Sequence, residues 1–258
     1  MKEFVPERKL GLLGYPLGHS FSKRFFEQKF QDESLKGWSY QLLERSGLDG
    51  LKAALSGDPS WQGFNVTIPH KQNILSLLDS LDPQAARIGA VNVVKIMPDG
   101  SWRGYNSDAA GFRLALLNWL PAGSWKEMKA IVLGNGGSAK AVHAVLDELE
   151  MQVSIFARRP EDGQFPWEEL SSETARQADL LVNCTPLGMS PAVHNMPLIP
   201  ENAFRKGQFV FDLIYNPDQT RFLELAVSFG ANTQNGLAML HHQAEIAWQI
   251  WTQPETGL

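Results

Sequence analysis

The sequence predicts an α/β protein of two domains, the second built on a doubly wound parallel sheet. Three observations carry this expectation. The chain has 258 residues, more than a single core of roughly 100–150 residues needs and too few for three domains. Its 22 glycines and 15 prolines cut it into short apolar runs of alternating strand-like and helix-like character, without an internal repeat. The apolar run at 130–133 leads straight into Gly134-Asn135-Gly136-Gly137-Ser138-Ala139, a turn of small residues that opens a helix.

Taken in order, residues 9–15 read as a strand, 22–30 as a helix, 38–43 as a strand and 48–55 as a helix, from apolar spacing that switches between the periods of the two structures. Residues 63–68 give another strand. Pro69 is placed in the first turn of a helix through Leu78, where a missing N–H is tolerated. Residues 90–96 and 102–105 form a hairpin around Pro98-Asp99-Gly100, a turn-forming run. Residues 108–120 read as a helix stopped by Pro121. Residues 130–133 are uninterrupted apolar sequence, which suits a strand covered on both faces, and a helix follows through Glu150. The remaining strands are 152–157, 179–183 and 208–213, separated by helical or loop segments. Residues 237–251, after Asn235-Gly236, form an apolar helix too isolated to be a domain, expected to pack back on the first one.

Composition narrows the function. Hydrophobic residues make up 43% and charged residues 20% of the chain, ordinary for a globular protein. A formal net charge of -5 supplies no basic field for phosphate backbones, so no nucleic-acid partner is expected. Cys184 is the single cysteine, which excludes an intramolecular disulfide and a cysteine-rich metal site. His241 and His242 are adjacent and diverge by about 100° on a helix, so no metal site is expected there either. The N-terminal residues lack the apolar core of a signal peptide and no run reaches spanning length. The expectation is a cytoplasmic protein without a membrane partner, monomeric or homodimeric.

The glycine turn has the spacing Gly134-x-Gly136-x-x-Ala139. Gly134 permits the tight turn, Gly136 the approach of a pyrophosphate to the backbone, and Ala139 close helix–strand packing. Because the turn follows a strand, opens a helix and precedes a second strand, residues 134–139 are candidates for holding a dinucleotide at a helix N-terminus. Where NAD-preferring folds place an acidic residue on the ribose, this chain has Ala157-Arg158-Arg159. Two guanidinium forks suit a 2′-phosphate, so NADP is the expected cofactor. The competing reading is a solvated basic turn paired with Glu161 or Asp162.

Several further motifs occur in order: Gly18-His19-Ser20-Phe21-Ser22, Asn65-Val66-Thr67-Ile68-Pro69-His70-Lys71, Gly89-Ala90-Val91-Asn92, Asn106-Ser107-Asp108, Asn183-Cys184-Thr185-Pro186-Leu187-Gly188-Met189 and Gly236-Leu237-Ala238-Met239-Leu240. Together with the glycine turn they resemble the shikimate dehydrogenase family over nearly the whole chain. The resemblance implies an N-terminal α/β substrate domain over residues 1–105, a Rossmann-type doubly wound NADP-binding domain over 106–235, and a C-terminal helix, 236–258, returning to the substrate domain. It implies reversible NADPH-dependent reduction of 3-dehydroshikimate to shikimate, on the route to chorismate and the aromatic amino acids.

By the same resemblance Lys71 and Asp108 are the catalytic candidates, the lysine exchanging a proton with the substrate oxygen. Ser20, Ser22, Thr67, Asn92, Tyr215 and Gln243 join them in binding the substrate, and Thr185 and Gly236 join the glycine turn and both arginines in binding the cofactor. Short hydroxyl and amide side chains suit a small ring bearing hydroxyls and a carboxylate. Structural alternatives stand beside each: the serines as helix caps, Asn92 and Asn106 as turn residues, Gln243 as a surface helix former, and Tyr215 as strand-end packing. Two departures from the family pattern are Lys23 in place of a proline, and Ala157-Arg158-Arg159 followed by Glu161-Asp162 in place of an Asn-Arg-Thr run followed by a further arginine. The alternative functions are a quinate/shikimate dehydrogenase with relaxed cofactor use and a non-catalytic NADP-sensing regulator on the same scaffold.

Overall fold

The computed structural model describes residues 5–18, 21–200 and 202–254. In chain order they form β1 Arg8–Gly14, α1 Phe21–Asp32, β2 Trp38–Glu44, α2 Leu51–Ser56, β3 Gly63–Val66, β4 Ser80–Leu81, α3 Pro83–Ile88, β5 Val93–Ile96 and β6 Trp102–Tyr105. There follow α4 Ser107–Trp119, β7 Lys129–Leu133, α5 Gly137–Glu148, β8 Gln152–Ala157, β9 Phe165–Pro166, α6 Ser172–Gln177, β10 Leu180–Asn183, β11 Phe209–Asp212, α7 Arg221–Ser228, β12 Asn232–Gln234 and α8 Leu237–Thr252. The chain divides into two compact units, Met1–Ser107 with Ala244–Leu258, and Asp108–Gln243.

The first unit is built on a six-stranded sheet in the order β2-β1-β3-β5-β6-β4. β1 is parallel to β2 and β3, whereas β5 runs antiparallel to β3 and β6. Alternation along the strands feeds two apolar layers. Leu13, Phe64, Val66, Val94 and Trp102 enter one cluster with α2, while Leu10, Leu12, Tyr40 and Val93 enter another with Phe26 and Phe30 of α1 and Ala244, Ala247 and Trp251 of α8. A sheet covered on both faces explains why residues 10–14 of β1 and the whole of β3 are buried whichever face a residue takes.

The second unit carries the wholly parallel order β12-β11-β10-β7-β8-β9. Numbered from β7, this is the strand order of the doubly wound nucleotide fold, and the order reverses between β7 and β10. Such a switch point leaves a crevice at the carboxyl ends of those two strands, where the glycine turn and Thr185 lie.

The expected helix over 69–78 is not formed. His70 N–H bonds Thr67 O at 2.9 Å in a turn, and Lys71 O accepts from Val91 N–H at 2.8 Å, which withdraws that carbonyl from a helical ladder. Only a 3-10 segment, Asn73–Leu77, follows. The helix found nearby is α3, started by Asp82, whose carboxylate accepts from Gln84 and Ala85 N–H, with Pro83 in its first turn. The expected strand at 90–96 begins only at Val93, since Asn92 N–H reaches Tyr105 O and Val91 N–H reaches Lys71 O outside the ladder.

Candidate active site

In the first unit the site is assembled where β1 and β3 end. Thr67 N–H donates to Leu13 O at 2.8 Å and Tyr15 N–H to Ile68 O at 3.0 Å, so the chain after β3 continues beside the end of β1. This places Thr67 and then Lys71, both half-buried. His70, 2% exposed, pins the same turn: its Nε2 lies 2.7 Å from Arg45 O. A carbonyl only accepts, so Nε2 is the donor in this contact; Nδ1 has no partner among the described residues.

A buried polar chain stands behind these residues. The Ser22 hydroxyl hydrogen-bonds the Tyr40 hydroxyl, Tyr40 donates to Asn65 Oδ1 at 2.7 Å, and Asn65 Nδ2 donates to Asn92 O at 3.3 Å. Burial pushes the Tyr40 hydroxyl well above the ordinary phenol range, so it stays protonated and keeps its donor. Ser22 lies inside α1, one residue past its first; Ser20 is outside the described residues. Asn92 commits its side chain to Ser107, accepting from the main-chain N–H at 2.7 Å and donating to Oγ at 2.9 Å. It thereby fills one of the unpaired N–H groups at the start of α4 and fixes the residue preceding Asp108. Asn106 holds Ala90 O at 2.8 Å.

In the second unit Asp108 sits in the first turn of α4 and is 5% exposed, an end of the helix where a carboxylate is favoured by the dipole. Gln243 is 8% exposed and no surface residue; its Nε2 donates to Leu240 O at 3.1 Å, and its Cβ and main-chain N lie where a Cβ on Gly111 of α4 would come within 2.9 Å. Tyr215 is half-buried beyond β11. The strand ends around it are tied by Asp212, fully buried, which accepts from Asn183 Nδ2 at 2.9 Å, Ile214 N–H at 3.0 Å and Thr220 Oγ1 at 2.6 Å. Asn183 Oδ1 accepts from both the main-chain N–H and the hydroxyl of Thr185, at 2.9 and 2.7 Å.

The glycine turn joins β7 to α5. Gly134 has φ +103°, and a Cβ there would lie 3.1 Å from the Thr185 methyl, so both conformation and close approach require glycine. Gly136 is the N-cap of α5, uses no side-chain cap, and a Cβ on it would meet nothing within 4 Å. The start of that helix therefore has open space and donors for an anion. Gly137 and Ser138 form the first turn and Ala139 is buried against the sheet. Arg158 and Arg159 are exposed just beyond β8, and among the described residues neither pairs with Glu161 or Asp162. Both guanidinium groups are thus available to a phosphate. Gly236 has a local reason to be glycine, because a Cβ would collide with the main-chain carbonyl of Leu213. These features fit a phosphorylated dinucleotide.

A family model described as the shikimate dehydrogenase substrate binding domain matches residues 12–94, the segment holding Ser22, Thr67, Lys71 and Asn92. The chain is 37% identical to a shikimate dehydrogenase (NADP(+)) of Methanococcus maripaludis strain C6, over 94% of this chain and 91% of that protein. The chain belongs to the shikimate dehydrogenase family. Among solved members, the shikimate 5-dehydrogenase of Thermus thermophilus, in complex with NADP(H) and shikimate, superposes with a TM-score of 0.83 at 33% identity, covering 95% of this chain and 93% of that one. A quinate dehydrogenase from Corynebacterium glutamicum in complex with NAD gives a TM-score of 0.82 at 28% identity, covering 97% and 95%.

Tyr40 and Asp212, polar anchors of these elements, carry no signal in the sequence. Asn65 stands inside a motif that points to it, but Tyr40 sits at an ordinary apolar position of a strand.

Proposed function

We infer that the chain is an NADP-dependent shikimate dehydrogenase, reducing 3-dehydroshikimate to shikimate and running the reverse oxidation. The observation that carries this is the 37% identity over 94% of the chain to an NADP(+) enzyme of that name, with Lys71 and Asp108 both present. NADPH, when bound, supplies the hydride. The chain supplies the rest. As the ketone carbon gains hydride, its oxygen gains negative charge, and Lys71 delivers the proton; in oxidation the same amine takes it back. Asp108 accepts hydrogen bonds from the ring hydroxyls, and Ser22, Thr67, Tyr215 and Gln243 supply further polar contacts that replace water lost by the substrate. The open α5 N-terminus receives the pyrophosphate, and Arg158 and Arg159 receive the 2′-phosphate.

The purified protein should consume NADPH only when 3-dehydroshikimate is present, and consume NADH much more slowly. Faster turnover with 3-dehydroquinate and NADH would favour the quinate-oxidising reading. Binding of NADP+ without turnover on either ketone would leave a sensor in place of an enzyme.

A further inference from the structure

We propose that Gln164, acting through Asn135, is a specificity-determining positioning residue that sets the NADP preference of the arginine turn. The inference rests on the reading of Arg158 and Arg159 as ligands of the 2′-phosphate. It concerns what holds them in place.

β8 and β9 are parallel neighbours, paired through Phe156↔Phe165 and Ala157↔Pro166. Residues 158–164 must therefore leave the sheet, reverse and re-enter it in the original direction. Gly163, at φ +80°, makes the left-handed step of that reversal, and Gln164 N–H closes a turn on Glu161 O at 3.0 Å. The far side is anchored by Trp167 Nε1, which donates to Phe156 O at 2.8 Å, and by the stacking of Phe156 on Phe165 at 5.3 Å between ring centroids. Arg158 and Arg159, by contrast, lie on the exposed leading edge.

Two side-chain amides fasten that edge. Asn135 Nδ2 donates to Arg159 O at 2.8 Å and to Gln164 Oε1 at 3.0 Å. Gln164 Oε1 also accepts from Glu161 N–H at 2.9 Å. An amide nitrogen has two hydrogens and an amide oxygen two lone pairs, so this clamp is saturated at both ends. Asn135 lies in the glycine turn itself, between the two glycines that frame the pyrophosphate position. The clamp therefore fixes the main chain of Arg159 relative to the start of α5. In NADP the distance between pyrophosphate and 2′-phosphate is set by one ribose, so a bidentate guanidinium contact depends on that fixed spacing. NAD has only a hydroxyl at the second point and makes no guanidinium–phosphate contact there. Asn135, expected from its place in the turn to bind the cofactor, has its amide nitrogen committed to shaping the arginine turn.

The test is equilibrium binding of NADP+ and NAD+ by calorimetric titration, at low and physiological salt. Gln164→Ala should weaken NADP+ by about 10-fold, the scale of one charged hydrogen bond lost from register, and change NAD+ by less than about 2-fold. Asn135→Ala, which also removes the direct bond to Arg159 O, should weaken NADP+ at least as much, and the double variant should lose less selectivity than the sum of the two single losses, because the Asn135–Gln164 bond is counted in both. Unchanged selectivity in Gln164→Ala, or additive losses in the double variant, would overturn the clamp. Arg158→Ala/Arg159→Ala in the same titrations separates the two levels. Selective loss of NADP+ there, with Gln164→Ala unaltered, overturns the clamp alone, and equal loss of both cofactors there overturns the arginine reading and the clamp with it. A thermal melt within a few degrees of the parent protein for Gln164→Ala distinguishes a local effect from unfolding.

Discussion

Lys71 owes its place to main-chain bonds on either side of its side chain, from His70 N–H to Thr67 O and from Val91 N–H to Lys71 O, with the buried His70 ring held on Arg45 O. Removing the amine therefore leaves the turn anchored, and Lys71→Ala is expected to lower turnover by roughly 10²–10⁴-fold, the range for a lost general acid or base. NADP+ affinity, measured by titration, should hold. A variant with near-parental turnover would take Lys71 out of the proton transfer. At this scale the sequence was most readable where candidate residues sit in short contiguous motifs, as Asn65 through Lys71 do, because the turn after β3 keeps neighbours in the chain together. Tyr40 and Gln164 were not readable, because each acts on a side chain far away in the chain, 25 residues distant for Tyr40 and Asn65 and 29 for Asn135 and Gln164. No local period or spacing encodes such a bond.

At the scale of elements, the parallel sheet of the second unit was legible from apolar runs and the glycine turn, because burial on both faces leaves few polar residues to confuse the pattern. The helix expected at 69–78 failed for the opposite reason: the Lys71 carbonyl is taken by Val91 N–H, 20 residues on and just before β5, which propensity does not register. The ends of β10 and β11 meet at Asp212, whose carboxyl is raised from 3.8 to about 6, burial outweighing the donors from Thr220, Ile214 and Asn183. Burial, and after it the charge of Asp212, pushes the Cys184 thiol well above the ordinary range. A carboxyl that is harder to ionise in the folded chain than in the unfolded one lowers stability as pH rises from about 4 to about 6, and contributes nothing further outside that window. The shift corresponds to roughly 3 kcal/mol. Asp212→Asn removes this titration, so on urea unfolding the variant's stability relative to the parent should climb between pH 4 and pH 6, by roughly 3 kcal/mol at most. A difference that stays flat across the window would show that Asp212 is ionised at equal cost in both states.

At the scale of the whole molecule, the first unit is completed only by the last residues of the chain, and the division between the units falls inside α8, between Gln243 and Ala244. That helix was readable from its apolar length, but the switch within it was not, since nothing in the sequence distinguishes Gln243, packed on Gly111, from Ala244 and Ala247 in the sheet core. Trp251 shows how much the first unit depends on this return. It is 5% exposed, its ring lies 5.5 Å from that of Phe26, and its Nε1 donates to Val94 O at 2.9 Å on the central part of the sheet. Trp251→Ala removes a large buried ring and leaves a cavity that rigid strands on one side fill poorly, a change that costs about 3–5 kcal/mol. The loss should be confined to the unit that contains the cavity. NADP+ stabilises only the state that binds it, and its proposed ligands all lie in Asp108–Gln243. The variant should therefore retain near-parental affinity for NADP+ while its urea unfolding becomes biphasic, with an early transition that NADP+ does not shift and a later one that it does. Shikimate affinity should fall with the early transition. A single transition that moves as a whole when NADP+ is added would mean that the two units unfold together, and that the tryptophan supports the nucleotide side as much as its own.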